Sequence, residues 1–200
     1  MRKIIFLLHV AFLLLFSSGT FAQTMDSGRA RGLFMSFAVG PRIPVASMGN
    51  SQAVGVGINF GLSYTDNEYL PLFVYAKVGF EHFPGSVAYY RRSDYSSLTT
   101  NVVPLNLGAR IFFPPVVKDI VLLIPTAEFG GSIAFFEKSH QFKIDSGRSD
   151  FLESTTRAGF HVGAGLSMFL LEVMGSYNYY PGNEYLSAEI RMRIPIFIKL

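Results

Sequence analysis

The strongest constraint on this chain is an alternation of side-chain character with a period of two residues, which recurs from about residue 33 to the end. In the stretch 54–64, every second residue is large and apolar, and the residues between are glycine, asparagine or serine. Successive side chains of a β-strand point to opposite faces. The pattern therefore predicts a strand with one apolar face and one small or polar face.

Eight segments carry this pattern, most clearly in 54–64, 157–169 and 186–200 and least clearly in 120–136 and 171–180. Pro104 and Pro125 lie inside predicted strands, and because proline removes a backbone donor they indicate bulges or misplaced boundaries. The predicted strands are 33–44, 54–64, 71–83, 102–113, 120–136, 157–169, 171–180 and 186–200.

The composition indicates where the apolar faces lie. Half of the residues are hydrophobic and only 16% are charged, yet the apolar runs after residue 16 are short. A membrane-spanning helix needs about 20 apolar residues, so none is available there. A closed sheet with its outer face in lipid fits both observations. We predict an all-β fold, a transmembrane antiparallel up-and-down β-barrel of eight strands, with ten strands as the alternative.

The positions of the charges provide a separate test of this prediction. Once the apolar residues define the phase of each segment, every charged residue in the eight segments falls on the opposite face. A charge facing lipid at the membrane midplane costs about 2–4 kcal/mol, so a membrane barrel requires this sorting. A soluble sandwich or a lipocalin-like barrel would turn the apolar face inward, and alternation alone leaves that alternative open.

The first 22 residues predict a cleaved signal peptide. Arg2 and Lys3 precede an apolar stretch from Ile4 to Phe16, and small residues follow up to Ala22. The stretch is too short to span a bilayer, although a retained anchor is the alternative. We therefore predict a signal peptide at 1–22, a short N-terminal segment at 23–32 and a barrel at 33–200.

The mature chain would be nearly neutral and free of cysteine. Without Arg2 and Lys3, the 17 Lys and Arg fall to 15, against 14 Asp and Glu. The basic isoelectric point of the full sequence, about 9.2, therefore gives no reason to expect a nucleic-acid partner. The chain contains no cysteine, so no disulfide holds the fold.

The segments between the predicted strands fall into two classes. With the chain starting in the periplasm, the outer links are mostly longer and more polar than the inner ones, as in bacterial outer-membrane barrels. The outer links are 45–52, 84–101, 137–156 and 181–185, and the inner links are 65–70, 114–119 and 170.

A leader ending in Ala22-Gln23, eight alternating segments and a last strand at 186–200 resemble the small outer-membrane β-barrel proteins, including OmpA transmembrane-domain, OmpX and PorT-like members. The resemblance implies a location in the cell outer membrane, with lipid and lipopolysaccharide around the barrel and the outer-membrane assembly machinery as a partner. That machinery often recognises a terminal aromatic residue, whereas this chain ends in Leu200. The Ala-Gln junction and the Trp-free composition rich in Phe and Tyr look like exported proteins of Bacteroidota.

A group of charged residues on the interior phase is the most informative cluster. Buried charges must be paired, and the lumen of an eight-strand barrel is only wide enough to be filled by side chains. We predict a structural ion-pair plug, with a narrow or gated ion path as the alternative. Arg42, Arg157 and Lys199 lie nearer the strand ends and are left outside the group. The interior ion-pair network comprises Lys77, Glu81, Arg110, Glu128, Glu172, Glu189, Arg191 and Arg193.

No motif for catalysis, metal binding or cofactor binding is evident. His161 is the only histidine on the interior phase, and Ser167, six residues later, would lie ~20 Å away along a strand. Some small barrels that resemble this one modify lipid A with a His and Ser pair, but no compact sequence of that type occurs. We predict a packed, hydrogen-bonded His161 and no catalytic residue, metal or cofactor.

The second outer link contains Tyr89, Tyr90, Arg91 and Arg92. Tyrosine and arginine are enriched at binding hot spots, and an arginine pair suits the phosphates of lipopolysaccharide. These residues predict a loop contact to a surface ligand or protein partner, with a solvated loop over the barrel mouth as the alternative.

The leading functional hypothesis is a non-enzymatic integral outer-membrane protein with a filled lumen and a structural or surface-interaction role through its extracellular loops. The alternatives are a narrow channel, a secretion-accessory barrel like the PorT-like proteins, and a lipid A-modifying barrel enzyme.

Overall fold

The computed structural model describes residues 31–66, 70–116, 123–168 and 170–199. The predicted signal peptide at 1–22 and residues 23–30 of the short N-terminal segment lie outside the described residues.

Eight antiparallel strands form a closed barrel in which each strand pairs with its neighbour in sequence and β1 pairs with β8. The predicted up-and-down barrel and its eight strands are therefore confirmed. The strands are β1 (Arg31–Pro44), β2 (Gly55–Asp66), β3 (Leu70–Phe83), β4 (Tyr95–Phe112), β5 (Leu123–Phe142), β6 (Phe151–Met168), β7 (Leu171–Tyr179) and β8 (Tyr185–Lys199).

Helices are short and lie in the connections on one side of the barrel. They are α-helices at Ala46–Gly49 and Val87–Arg91 and a 3-10 helix at Ile144–Ser146. In the described ranges no helix has the length and apolarity to cross a membrane.

The barrel has its apolar residues outside and its polar residues inside. Along β2, Ile58 and Phe60 are 38% and 52% exposed, whereas Asn59 and Ser63 are buried. The same alternation continues around the wall, and a soluble barrel with an apolar interior would show the reverse. Strands of this length, tilted in a closed barrel, are sufficient to cross a bilayer. The fold is that of a transmembrane β-barrel.

Strands β4, β5 and β6 extend beyond the band of outward-facing apolar residues, which we call the apolar belt. On β5 the outward residue Phe135 is followed by the outward residue Glu137, and on β6 the outward residues before Ala158 are Thr156 and Ser154. The strands nevertheless continue, since Thr99 pairs with Ser139 and Ser139 with Leu152. The barrel therefore carries a polar sheet extension at the end where the predicted outer connections lie. We call this the outer end of the barrel and the opposite one the inner end.

This extension corrects the predicted strand boundaries. Segments 95–101, 137–142 and 151–156 are strand rather than loop, and His140 therefore lies in β5 and not in an outer loop. Mostly polar residues on both faces hide the alternation in these segments, which explains the error. The second and third outer connections shorten to 84–94 and 143–150.

The prolines inside strands do not cause the predicted bulges. Pro104 pairs with Ala134 and Pro125 with Leu166, both in continuous register. On the side of β4 that faces β3, two residue pairs are missing from the ladder beside Pro104, and the pairing then resumes in the same register. A bulge occurs instead where β1 meets Pro195, between Leu33 and Phe34.

An apolar cluster closes the lumen at its outer end. Its members face the lumen, whereas the residues of the apolar belt face outward. They are Met48, Phe83, Val102, Ala134, Phe136, Tyr180 and Tyr185.

Candidate functional site

The lumen contains a connected set of ion pairs. The structure brings together all eight residues of the predicted interior group, and it adds Arg42. We call these nine residues the lumen network: Arg42, Lys77, Glu81, Arg110, Glu128, Glu172, Glu189, Arg191 and Arg193.

Glu128 is the centre of the network. Its Oε1 accepts from Lys77 Nζ at 2.8 Å, and its Oε2 accepts from Arg110 Nη2 at 2.9 Å and Arg191 Nη1 at 3.1 Å. The carboxylate lies on β5, and Arg110 is its direct partner on the neighbouring strand β4. Lys77 on β3 and Arg191 on β8 lie on strands that do not pair with β5, so their bonds to Glu128 pass through the lumen. Glu128 is 1% exposed. Three cations around one buried carboxylate satisfy its acceptor sites without water.

Glu172 on β7 extends the network toward the inner end of the barrel. Arg110 Nη1 and Arg191 Nη1 both lie 3.3 Å from its Oε2, and Arg193 Nη1 lies 3.3 Å from its Oε1. Two arginines therefore bridge Glu128 and Glu172. This sharing makes the pairs a single unit rather than separate contacts.

Arg193 also closes the inner end through aromatic contacts. Its guanidinium lies 5.3, 5.5 and 4.7 Å from the ring centroids of Phe34, Phe73 and Phe112. Cations over aromatic faces are attracted by the ring quadrupole, with a larger gain when water is excluded. The inner end thus combines an ion pair with an aromatic cage.

Arg42 was wrongly left outside the interior group. It is fully buried; its Nε donates to Glu81 Oε1 at 2.7 Å and its Nη2 donates to Glu189 Oε1 at 2.8 Å. Arg191 Nη2 lies 3.1 Å from Glu189 Oε2, which connects this outer part to the centre. Arg42 was excluded because it lies near a strand end, but its inward phase matches that of the other charges.

Gly57 provides the space for the Arg42 guanidinium. A Cβ atom at Gly57 would lie 2.6 Å from Arg42 Nε, closer than atoms approach in proteins. Gly57 and Gly61 therefore leave room for the long side chains of Arg42 and Lys77 on the strands that pair with β2. The small interior face is part of the charged site.

His161 belongs to a separate buried chain of hydrogen bonds. Its Nε2 lies 2.5 Å from Tyr75 OH and its Nδ1 lies 2.8 Å from Ser132 Oγ, which donates to Asn106 Oδ1 at 2.5 Å. Because Ser132 uses its proton on Asn106, it accepts from His161 Nδ1, and Tyr75 donates to Nε2. The imidazole is then neutral with both nitrogens bonded.

This arrangement differs from a nucleophile and its base. A base histidine must accept the serine proton, whereas His161 donates to Ser132. The serine partner of His161 is Ser132 on β5; Ser167, on the same strand as His161, is not its partner, as its distance along the strand predicts. Ser132 could have been found from its interior phase once β5 and β6 were paired.

The four predicted loop residues divide into two pairs. Tyr90 OH donates to the Leu98 carbonyl at 3.2 Å and accepts from its N–H at 3.0 Å, and the Tyr89 ring packs 5.5 Å from that of Tyr95. The tyrosines thus fix the helix Val87–Arg91 to β4. Arg91 and Arg92 are exposed.

A small cleft at the outer mouth was not predicted. It has a volume of about 200 Å³, and its walls include Gln52, Tyr89, Tyr95, Lys138, Glu153 and Asn183. We call it the mouth cleft. Its residues come from three connections and the extended parts of β4, β5 and β6, so no local sequence pattern brings them together.

Metal-binding geometry does not occur in the part of the chain that the structure describes. No group of three or more His, Asp or Glu side chains there could hold a metal ion.

Comparison with known proteins places the chain by its fold. No protein-family model matches it, and no curated protein matches it. Neisserial surface protein A (NspA) is similar, with a TM-score of 0.55 and 18% identity, over 84% of this chain and 99% of that one. At this identity the likeness concerns the fold alone.

Two other solved structures match with lower scores. Ail, the attachment invasion locus protein of Yersinia pestis, has a TM-score of 0.47 and 11% identity, over 84% of this chain and 100% of that one. The N-terminal β-barrel domain of Pseudomonas aeruginosa OprF has a TM-score of 0.42 and 14% identity, over 83% and 100%. The PorT-like resemblance and the Bacteroidota-like composition receive no support from these matches. The chain has the fold of a small eight-strand outer-membrane barrel.

Proposed function

We propose that this protein is a non-enzymatic integral protein of the outer membrane, whose filled barrel is a rigid support for an interaction surface at its extracellular mouth. The observation that carries this proposal is the lumen network. Its contacts span the lumen at three levels. Arg42 on β1 pairs with Glu81 on β3, and Arg191 on β8 pairs with Glu128 on β5. At the inner end, the Arg193 guanidinium on β8 lies over the ring of Phe112 on β4. A lumen occupied in this way leaves the outer surface as the part that can meet a partner.

The extended strands support the second half of the proposal. β4, β5 and β6 continue past the apolar belt and carry the mouth cleft and the exposed Arg91 and Arg92. Rigid strands and anchored loops present binding residues with little loss of conformational freedom. The two arginines suit a phosphate-bearing surface such as lipopolysaccharide. Outer-membrane lipid would surround the barrel, and the assembly machinery would insert it.

Cysteine labelling tests the location and orientation. The natural chain contains no cysteine, so each introduced thiol gives an unambiguous signal. We expect a membrane-impermeant maleimide to label Arg92→Cys and Arg148→Cys on intact cells. Val116→Cys, exposed at the opposite end of the barrel, should react only after the outer membrane is permeabilised. Labelling of Val116→Cys alone on intact cells would contradict the proposed orientation.

A complementation experiment tests the surface role. A strain lacking the gene should not regain its surface phenotype with an Arg91→Ala/Arg92→Ala variant that reaches the membrane at normal levels. If that variant restores every surface phenotype, the two arginines do not act in the interaction.

A further inference from the structure

We propose that the mouth cleft binds one neutral sugar residue, a single pyranose ring carried by a glycan. The inference deepens the proposed surface role and rests on it for its biological setting. The site itself is argued from the side chains that line the cleft.

The first observation is a buried amide that none of the described protein groups satisfies. Asn183 is 1% exposed, and neither its Oδ1 nor its Nδ2 has a hydrogen-bond partner among the described residues. Most buried polar side chains are hydrogen-bonded, so such a group calls for a partner from outside the chain. Asn183 forms part of the wall of the mouth cleft.

Gln52, the other amide in the wall, provides a contrast. With its amide oriented to suit its neighbours, it donates to the carbonyls of Phe83 and Pro84 at 3.0 and 3.1 Å and accepts from Thr100 Oγ1 at 3.0 Å. Gln52 is therefore fully used in holding the mouth together. Asn183 has the same chemistry and none of these contacts.

The backbone around Asn183 is fixed. Gly182 has a φ of 75°, a conformation that other residues rarely adopt, and the Asn183 N–H donates to the Tyr180 carbonyl at 2.8 Å. Ser47 Oγ donates to the Gly182 carbonyl at 3.1 Å, and Arg157 donates to the Pro181 carbonyl. The turn is thus held from two sides, which keeps Asn183 in the wall of the mouth cleft.

The charges of the cleft indicate a neutral ligand. Lys138 and Glu153 both line it, so a cation and a carboxylate offset each other. Glu153 Oε2 lies 3.1 Å from His140 Nε2, which keeps the carboxylate in place. A phosphate or sulfate would meet Glu153 as a like charge, and a metal ion or an amine would meet Lys138. A neutral ligand with several hydroxyl groups can accept a hydrogen bond from Lys138 and donate one to Glu153.

The size of the mouth cleft and its aromatic wall favour a single sugar ring as the ligand. About 200 Å³ is less than the ~300–1,000 Å³ of pockets for drug-sized ligands, so one ring fits and a chain of sugars does not. The rings of Tyr89 and Tyr95 lie 5.5 Å apart and present apolar surface with a hydroxyl at the edge. Partial burial raises the pKa of Tyr89, so its hydroxyl stays protonated as a donor. A pyranose has the matching combination of an apolar C–H face and a polar rim.

Saturation-transfer NMR on the purified full-length barrel in detergent tests the site. The probes are methyl glucoside, methyl galactoside and N-acetylglucosamine, with glucuronate and glucose 6-phosphate as anionic counterparts. We expect saturable binding of at least one neutral probe and weaker binding of both anions. Absence of saturable binding by all neutral probes, or tighter binding of the anions, would overturn the proposal.

Three variants connect binding to the cleft. Asn183→Ala and Lys138→Met should each weaken sugar binding by about tenfold, since each removes hydrogen bonds to the sugar. Asp145→Ala, exposed on the same side of the barrel and outside the cleft, is the matched control and should bind as the natural protein does. Tyr89→Ala tests the aromatic wall without altering a strand, in case Asn183→Ala does not fold. Equal affinity in the cleft variants and the control would place any binding elsewhere.

The source of the sugar is distinguished with vesicles. If the glycan belongs to lipopolysaccharide, vesicles that contain it should displace the methyl glycoside and plain phospholipid vesicles should not. If the glycan is external, only free oligosaccharides should displace it. Binding in detergent does not depend on the membrane in which the protein lies, so a failed labelling experiment would refute the location and leave the sugar site standing.

Discussion

Arg191 on β8 and Glu128 on β5 meet across the lumen, with Arg191 Nη1 3.1 Å from Glu128 Oε2. The two strands are not neighbours in the barrel, so the contact ties opposite parts of the wall together. Lys77 and Arg110 reach the same carboxylate from β3 and β4. Glu128 thereby links β5 to β3 and β8, with which β5 shares no backbone pairing.

Glu128→Ala should strongly destabilise the barrel. It leaves Lys77, Arg110 and Arg191 without their shared acceptor, and breaking a buried ion pair from one side costs about 3–5 kcal/mol. Urea unfolding of the protein reconstituted in phospholipid vesicles measures the change. Glu137→Ala on the same strand is the control: its side chain is exposed, and we expect a change within about 0.5 kcal/mol. Equal stabilities of the two variants would show that the network contributes nothing.

Gly57→Ala should also destabilise the barrel, by about 1–3 kcal/mol. The added Cβ would lie 2.6 Å from Arg42 Nε and push the guanidinium away from Glu81 and Glu189. Gly131→Ala is the matched change, because nothing lies within 4 Å of a Cβ built there. The same unfolding measurement applies. A neutral Gly57→Ala would mean that Arg42 has room to move and that its pairs are loosely held.

A charge on the outer wall should be tolerated only beyond the apolar belt. Val162 faces outward in the belt and is 50% exposed, so Val162→Arg should cost about 2–4 kcal/mol near the midplane. Ser154, on the same strand and the same face, lies outside the belt, and Ser154→Arg should cost less than about 1 kcal/mol. Folding yield and urea stability in vesicles distinguish them. Similar costs at both positions would contradict the assigned membrane position.

The sequence was sufficient to predict the fold because the barrel repeats one rule in every strand. Alternation in 54–64 predicted the facing of β2, and the charge sorting predicted which face lies inside. The strand ends were harder to predict, since 137–142 and 151–156 carry mostly polar residues on both faces, apart from Phe142, Phe151 and Leu152, yet they pair with each other. Pairing between strands is a tertiary property that local periodicity does not contain.

For the interior charged group, the residues could be predicted from the sequence but their ion-pair partners could not. Phase alone was enough to select Glu128 and Arg191 as lumen residues, but the partners of each charge depend on reach across the barrel. Arg42 was missed because its nearness to a strand end was weighed above its phase. The mouth cleft could not be predicted, because Asn183, Lys138 and Tyr89 are distant in sequence and meet only when the barrel closes.

Single-channel conductance of the refolded protein in planar bilayers tests the filled lumen most directly. Insertion is verified by protease protection of the barrel in the same preparation, and Arg110→Ala and Glu128→Ala are measured beside the parent. We predict no steady conductance of the parent protein, because Arg42, Glu128 and Arg193 make contacts that span the lumen at three levels. Steady, ion-selective conductance of the parent that changes in either variant would contradict this account and make the lumen network the lining of a pore.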